Sequence, residues 1–561
     1  MKTGYKKYIP FNPVSLPDRQ WPGRVTSEAP IWCSVDLRDG NQALVDPMNL
    51  EEKIEMFKAL VEVGFKEIEV GFPSASQTEY DILRALIDRN LIPDDVTIQV
   101  LVQARENLIH KTFEAIRGAK NVIIHFYNST STLQRKVVFK TDMEGVINIA
   151  VQGARLVWQL AQEQAAAGTN IRFEYSPESF SGTESDNAVR VCALVMEELH
   201  ATEEHKVILN LPSTVQLSTP NHFADQVEYF CRNLPNRAAA IISVHPHNDR
   251  GTGVGDAELA MLAGAERVEG TLFGNGERTG NVDIVVVALN LYTQGVDPKL
   301  DFSDINRLRD IYETCTKMKI HERQPYVGEL VFTAFSGSHQ DAINKGVEHM
   351  KKSGTDHWEI PYLPIDPADI GRQYEPIIRI NSQSGKGGAA FIMKQIYGFT
   401  LPKEMHPEFG VIVKAEADRV GTELEAANIM ELFQEEYINI KAPYKLSKHR
   451  IEESGENGNS EVVFLGSLKK DGVEIPITGK GNGPIDAFFS AIKPIGLPPL
   501  EFVAYHEHAI SSGSDAKAVA YIELKDEQGK RIFGVGVESN INIASIKGVI
   551  SAINRKLEAR D

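Results

Sequence analysis

Between residues 30 and 300, short runs rich in apolar and β-branched residues alternate with longer segments whose apolar positions recur every three to four residues. The first pattern predicts strands, and the second predicts helices with one buried face. The strands read as 31–35, 67–71, 97–102, 122–126, 171–175, 206–210, 240–244 and 267–272. Between them, 50–63 places Ile54, Phe57, Leu60 and Val61 on one helix face, and 143–164 follows the same rule. Eight such βα units predict an α/β fold closed into a (β/α)8 barrel. A doubly wound open sheet is the alternative, because alternation alone does not close a sheet. Beyond residue 300 the rhythm changes to helices joined by loops, at 302–319, 339–351 and 424–435, and the polar stretch EESGENGNS (452–460) reads as an exposed turn or boundary loop. An internal repeat follows. Runs at 462–468 and 475–479 and a helix at 485–492 are echoed by runs at 518–524 and 532–537 and a helix at 544–553, which predicts two ββα units in a small C-terminal α/β domain. The expected division is a barrel at 1–325, helical linker subdomains at 326–440 and the repeat domain at 441–561.

A length of 561 residues suits several domains, and a formal charge of −18 with no long Lys/Arg run argues against a nucleic-acid surface. Anionic substrates then require local positive charge, from a metal or a few arginines. The four cysteines share no CxxC spacing, so neither a zinc ribbon nor a disulfide framework is indicated. No signal-peptide core or membrane-length apolar run is present. The expectation is a soluble, unprocessed cytoplasmic chain.

Catalytic groups of a (β/α)8 barrel gather at the C-terminal ends of its strands. Those positions here are polar almost throughout: DLRDGNQ (36–42), HFYN (125–128), EYSPE (174–178), NLPST (210–214), HPHNDR (245–250) and GNGERTGN (274–281). His245 and His247, two apart at a strand end, point to one side of the sheet and with Asp39 make a two-histidine, one-carboxylate metal set; Asn281 offers an amide oxygen. A lone HxH is more often a polar strand end, but barrel closure leaves only strand eight between strands one and seven. Arg38 beside Asp39 is placed to polarise a carbonyl or to form a structural salt bridge. Glu178 and His125 suit proton transfer or carboxylate binding, and Thr214 supplies a hydroxyl. The glycine-rich SGKGG (384–388) and GKGNGP (479–484) lack the GxxxxGK[ST] spacing and read as turns, although the second precedes a helix whose N-terminus suits a small carboxylate.

LRDGNQ, the HPHND segment and GNGERTGN together resemble the acyl-CoA condensing enzymes related to homocitrate synthase and hydroxymethylglutaryl-CoA lyase. EVGFPSASQ (69–77), HFYNST (125–130) and FSGSHQDAI (335–343) narrow the resemblance to the 2-isopropylmalate synthase family, in its long form that includes actinobacterial members. The resemblance spans nearly the whole chain. It implies a divalent ion (Zn, Mg or Mn) on Asp39, His245, His247 and Asn281, with a monovalent cation such as K as activator. It also implies Arg38 at the 2-oxo group, His125, Ser176 and Thr214 around 2-oxoisovalerate, and Glu178 on the acetyl-CoA side. His339 and Tyr374 match positions that reach the partner's active site, which implies a homodimer. The general base stays open between Glu178 and the His339/Tyr374 pair. The C-terminal repeat resembles a leucine-binding regulatory domain, with Gly481, Gly483, Ala509, Ala516 and Ile541 as pocket positions. A citramalate or homocitrate synthase is the nearest alternative, and a non-catalytic amino-acid sensor is an alternative of another class.

Overall fold

The computed structural model describes residues 4–9, 11, 13–334, 337–374, 388–420, 424–456, 459–497, 499–510 and 517–558. They form two compact units: residues 1–332 with 364–374, and residues 333–363 with 375–561.

In the first unit, strands β1 (Ile31–Ser34), β2 (Glu67–Gly71), β3 (Thr97–Gln103), β4 (Asn121–Ser129), β5 (Asn170–Glu178), β6 (Val207–Ser213), β7 (Ala240–Pro246) and β8 (Arg267–Gly270) close into a parallel barrel in chain order. β1 pairs with both β2 and β8, so the open-sheet alternative is excluded. Helices follow the strands and bury their apolar faces; the first, Leu50–Val63, starts at an Asn49/Glu52 capping box and stops at Gly64 (φ 112°). Several strands run further than their apolar cores indicated. β4 continues to Ser129 and β5 to Glu178, which puts Ser176 and Glu178 inside a strand rather than in the loop beyond it. Parallel pairing from Asn121↔Asn170 to Ser129↔Glu178 carries the ladder through these polar positions, where hydropathy shows no strand.

In the second unit, helices Gly337–Ser353, Gly388–Tyr397, His406–Val420 and Ala426–Tyr437 precede two antiparallel sheets. The three last-named helices share a core with the second sheet, built on Phe409, Phe433, Tyr437, Tyr521 and Val535. The sheets consist of β9 (Tyr444–Glu456), β10 (Asn459–Lys470) and β11 (Val473–Gly481), then β12 (Leu500–Ala509), β13 (Ala518–Asp526) and β14 (Arg531–Glu538). The helices Pro484–Ile492 and Ile541–Glu558 complete two βββα units, so the expected ββα repeat lacked the first strand of each. In β12 only every fourth residue is half-buried and the register shifts between Phe502 and Ala504, so no two-residue alternation marks it. β9 is polar along most of its length and takes in 452–456, which are therefore strand and not boundary loop; 457–458 lie outside the described residues.

GKGNGP (479–484) is not a turn either. Gly479 and Gly481 end β11, and a Cβ on either would overlap the following helix at Ala487 or Ala491. Gly534 and Gly536 repeat this on β14 against Ala544, Gly548 and Ala552. Each helix thus lies on the bare backbone of its unit's third strand. SGKGG (384–388) falls outside the described residues except for Gly388, which opens a helix.

Candidate active site

Three strand ends of the barrel supply a cluster of ligand-type atoms. β1 leads into a π-helical turn, Asp36–Gly40, that brings Arg38 and the buried Asp39 to the barrel mouth. β7 ends in His245 and Pro246, and His247 then bridges to Asn281 after β8. The Oδ2 of Asp39 is 3.2 Å from Nε2 of His245 and 3.6 Å from Nε2 of His247, and the three residues offer donor atoms all within 4.8 Å of one another. Nδ1 of His247 and Oδ1 of Asn281 are buried without a hydrogen-bond partner, while Nδ2 of Asn281 donates to the Asn275 carbonyl at 3.0 Å. Buried lone pairs of this kind are costly unless something accepts them, and a divalent cation does so. The donor set therefore fits a metal ion.

Crowding in this cluster shifts the proton affinity of each member. Burial opposes charge on Asp39, yet Arg38, His245 and His247 hold its carboxyl well below the usual range. Burial also opposes charge on His245, but hydrogen bonds to Asp39 and Glu269 outweigh it and lift the imidazole to about 9. Burial and the adjacent His245 drop His247 to about 4, leaving a neutral ring. A second group of ligand type, His125, Glu174 and Glu269, already has a cation beside it: the guanidinium of Arg267 lies 3.3 Å from Glu174 and 2.8 Å from Glu269.

Around this cluster opens a cavity of ≈ 550 Å³, lined by Arg38, Asp39, His125, Ser176, Glu178, Thr214, His245 and His247 among others. Its basic wall is Arg38, which pairs with Asp39 at 2.9 Å and with Glu69. Nδ1 of His125 faces Glu69 at 2.7 Å and Nε2 faces the Ser176 hydroxyl at 2.8 Å. The Thr214 hydroxyl accepts from the Ser179 amide at 2.9 Å. Burial pushes the Glu178 carboxyl up, against the pull of Arg38. Tyr127, Leu101 and Pro212 give the cavity apolar surface.

The remaining sequence candidates do not join this group. Tyr374 belongs to the first unit but does not line the cavity; its hydroxyl is buried without a hydrogen-bond partner among the described residues. His339 belongs to the second unit, exposed and stacked on Tyr362 with ring centroids 4.1 Å apart. Among the regulatory positions, Gly481 packs on a helix, Gly483 caps the helix at Pro484, Ala509 ends β12 and Ile541 opens the last helix, while Ala516 lies outside the described residues. A separate cavity of ≈ 550 Å³ in the second unit, lined by Phe489, Ile492, Lys493, Leu500, Lys525 and neighbours, contains none of them.

The sequence reading missed the layer behind the cavity. Glu67, Glu69, Gln99, Glu174, Arg267 and Glu269 are all buried inside the barrel. The available signal was charge at alternate positions of short, otherwise apolar strands, as in EIEVG (67–71).

Residues 29–311 match the HMGL-like family, residues 329–394 match the alpha-isopropylmalate synthase post-catalytic domain-like family, and residues 423–557 match the LeuA allosteric (dimerisation) domain. The 2-isopropylmalate synthase of Clostridium acetobutylicum is 54% identical over 98% of this chain and 99% of its own length. The enzymes of that name from Rhodospirillum rubrum and Agrobacterium fabrum are 53% and 54% identical, covering 98% and 99% of this chain and 98% and 99% of theirs.

Proposed function

The chain belongs to the 2-isopropylmalate synthase family, and from that premise we propose that it is an acyltransferase that condenses acetyl-CoA with 2-oxoisovalerate to give 2-isopropylmalate and CoA, the first committed step of leucine biosynthesis. The observation that carries this reading is the convergence of Asp39, His245, His247 and Arg38 on one cavity at the C-terminal mouth of the barrel.

Asp39, His245, His247 and Asn281 would hold a divalent ion (Zn, Mg or Mn, with K as a monovalent activator), which when bound supplies a Lewis acid for the keto oxygen and carboxylate of the oxo acid. Arg38, locked by Glu69 and Asp39, presents a fixed guanidinium to the oxygen that gains charge. His125, Ser176 and Thr214 orient the oxo acid. Glu178, whose burial raises its proton affinity, is one candidate to take the methyl proton of acetyl-CoA. The His339/Tyr374 pair, contributed by the partner in a homodimer, is the other. The methyl carbon then bonds to the keto carbon, the new alkoxide takes a proton, and water cleaves the thioester to release the CoA thiol. Leucine would act on the C-terminal domain at Gly481, Gly483, Ala509, Ala516 and Ile541. We keep the division into barrel (1–325), linker (326–440) and regulatory domain (441–561), and place the enzyme in the cytoplasm; no helix among the described residues is long and apolar enough to cross a membrane.

The test is CoA-thiol release with divalent metal, acetyl-CoA and each of 2-oxoisovalerate, pyruvate and 2-oxoglutarate, with and without leucine. Selective turnover of 2-oxoisovalerate, suppressed by leucine, is expected. Preference for another oxo acid would replace the substrate, and no turnover with any of them would leave an amino-acid sensor.

A further inference from the structure

Two carboxylates stand behind the cavity. Glu269 receives Nδ1 of His245 at 2.8 Å on the metal side. Glu69 receives Nδ1 of His125 at 2.7 Å and the Nε of Arg38 on the substrate side. One amide lies between them: Nε2 of Gln99, on β3, donates to Glu69 Oε2 at 2.8 Å and to Glu269 Oε1 at 2.9 Å. The other end of that amide is committed, because its Oε1 accepts from Nη2 of Arg267 at 2.8 Å, so the NH2 edge can only face the carboxylates. Gln99 is fully buried and is not among the residues lining the cavity, so it reaches bound molecules only through its neighbours.

We infer that Gln99 is a positioning residue that ties the carboxylate backing the metal candidates to the carboxylate backing Arg38 and His125, so that one buried amide sets both halves of the site. This rests on the proposed condensing function for what the two halves bind, but not for the link itself. With both carboxylates held, each histidine presents Nε2 forward, His245 toward Asp39 and His125 toward Ser176. A group bonded directly to a metal-binding histidine, as Glu269 is to His245, typically changes metal affinity or activity by about 10–100-fold when removed, and Gln99 acts one bond further back. A group serving one histidine would move one binding event, whereas a shared amide moves both.

Gln99→Met removes both donated bonds at nearly constant volume. Gln99→Asn keeps a buried amide that is one methylene too short to span both carboxylates, and it decides the matter if the methionine variant does not fold. Mn2+ affinity of the metal-stripped protein, read by titration calorimetry, and KM for 2-oxoisovalerate at saturating Mn2+ are measured on folded parent and variant. The expectation is a loss of Mn2+ affinity of about tenfold or more together with a comparable rise in KM. Parent-like Mn2+ affinity, or a change in only one of the two quantities, overturns the inference. The calorimetric arm separates the two claims: a parent that binds Mn2+ but turns over no oxo acid defeats the condensing function, and undiminished Mn2+ affinity in the variants still defeats the link.

Discussion

The barrel interior and the C-terminal repeat solve opposite packing problems. Inside the barrel, Glu67, Glu174 and Glu269 surround a fully buried Arg267, whose charge is tolerated only because carboxyl groups face it. In the repeat, Phe464, Phe488, Ile522, Ile546 and Val549 form an apolar core, and helix meets sheet at paired glycines with no side chain between. Convergence of the sequence candidates follows this division. Those on barrel strand ends meet in one cavity because ladder closure leaves them nowhere else to point, whereas those in the repeat sit on a strand end, a cap and a helix start. A closed ladder gives short motifs a common destination, and an open repeat does not.

The largest effect expected is on the metal candidates. Asp39→Ala should lower kcat/KM by about a thousandfold or more, on the order of 4 kcal/mol of transition-state stabilisation, with parallel loss of divalent-metal affinity. Steady-state CoA-thiol release and metal titration check it together. Full activity in the metal-free variant would remove the chemical reading of the mouth.

Next comes the charge cluster beneath it. Arg267→Met leaves Glu67, Glu174 and Glu269 without their common cation, and removing one partner of a buried ion pair costs about 3–5 kcal/mol. Urea unfolding followed by tryptophan fluorescence reads the loss. An unchanged midpoint would show that the barrel interior does not depend on this cation.

How much of this was legible in the sequence differs along the same line. The helix read at 50–63 was found as Leu50–Val63 and the strand read at 67–71 as Glu67–Gly71, because apolar periodicity and capping residues coincide there. The metal candidates were legible because a strand-end HxH is local and strand order does the rest. Glu69, Gln99 and Glu269 were not assigned roles, since their meaning depends on neighbours up to 170 positions away. β9 and β12 were missed because neither shows the two-residue alternation of a half-buried strand: β9 is polar along most of its length, and β12 is half-buried only at every fourth residue.

In the repeat the effects should be smaller and steric. Gly536→Val drives a side chain into the Ala544 carbonyl and the Gly548 amide, and overpacking of this kind costs about 1–3 kcal/mol, read as a lower unfolding midpoint for the C-terminal unit. Gly483 has open space around a Cβ, so Gly483→Ser should leave stability within about 0.5 kcal/mol. Its leucine dose–response then reports on the proposed pocket without a stability effect. An unshifted inhibition curve would take Gly483 out of it.

A pH-dependent effect is expected at a barrel carboxyl that has no ion-pair partner among the described residues. Asp256, near the start of the helix Gly253–Ala263, accepts from Gln216 at 2.9 Å through one oxygen, and its other oxygen is buried without a partner. Burial pushes this carboxyl to about 7, against Gln216 and Arg250, while an unfolded aspartate sits near about 3.9. Between those values the folded chain keeps a proton that the unfolded chain has released. The folded state therefore binds more protons, and its stability falls as pH rises through that window and levels off above it. Asp256→Asn has no proton to lose there, so its stability relative to the parent should increase from pH 4.5 to pH 8 by about 1–3 kcal/mol, read as a growing difference in urea-unfolding free energy. A pH-independent difference would mean that the carboxyl ionises freely in the fold and that burial beside Gln216 does not hold its proton.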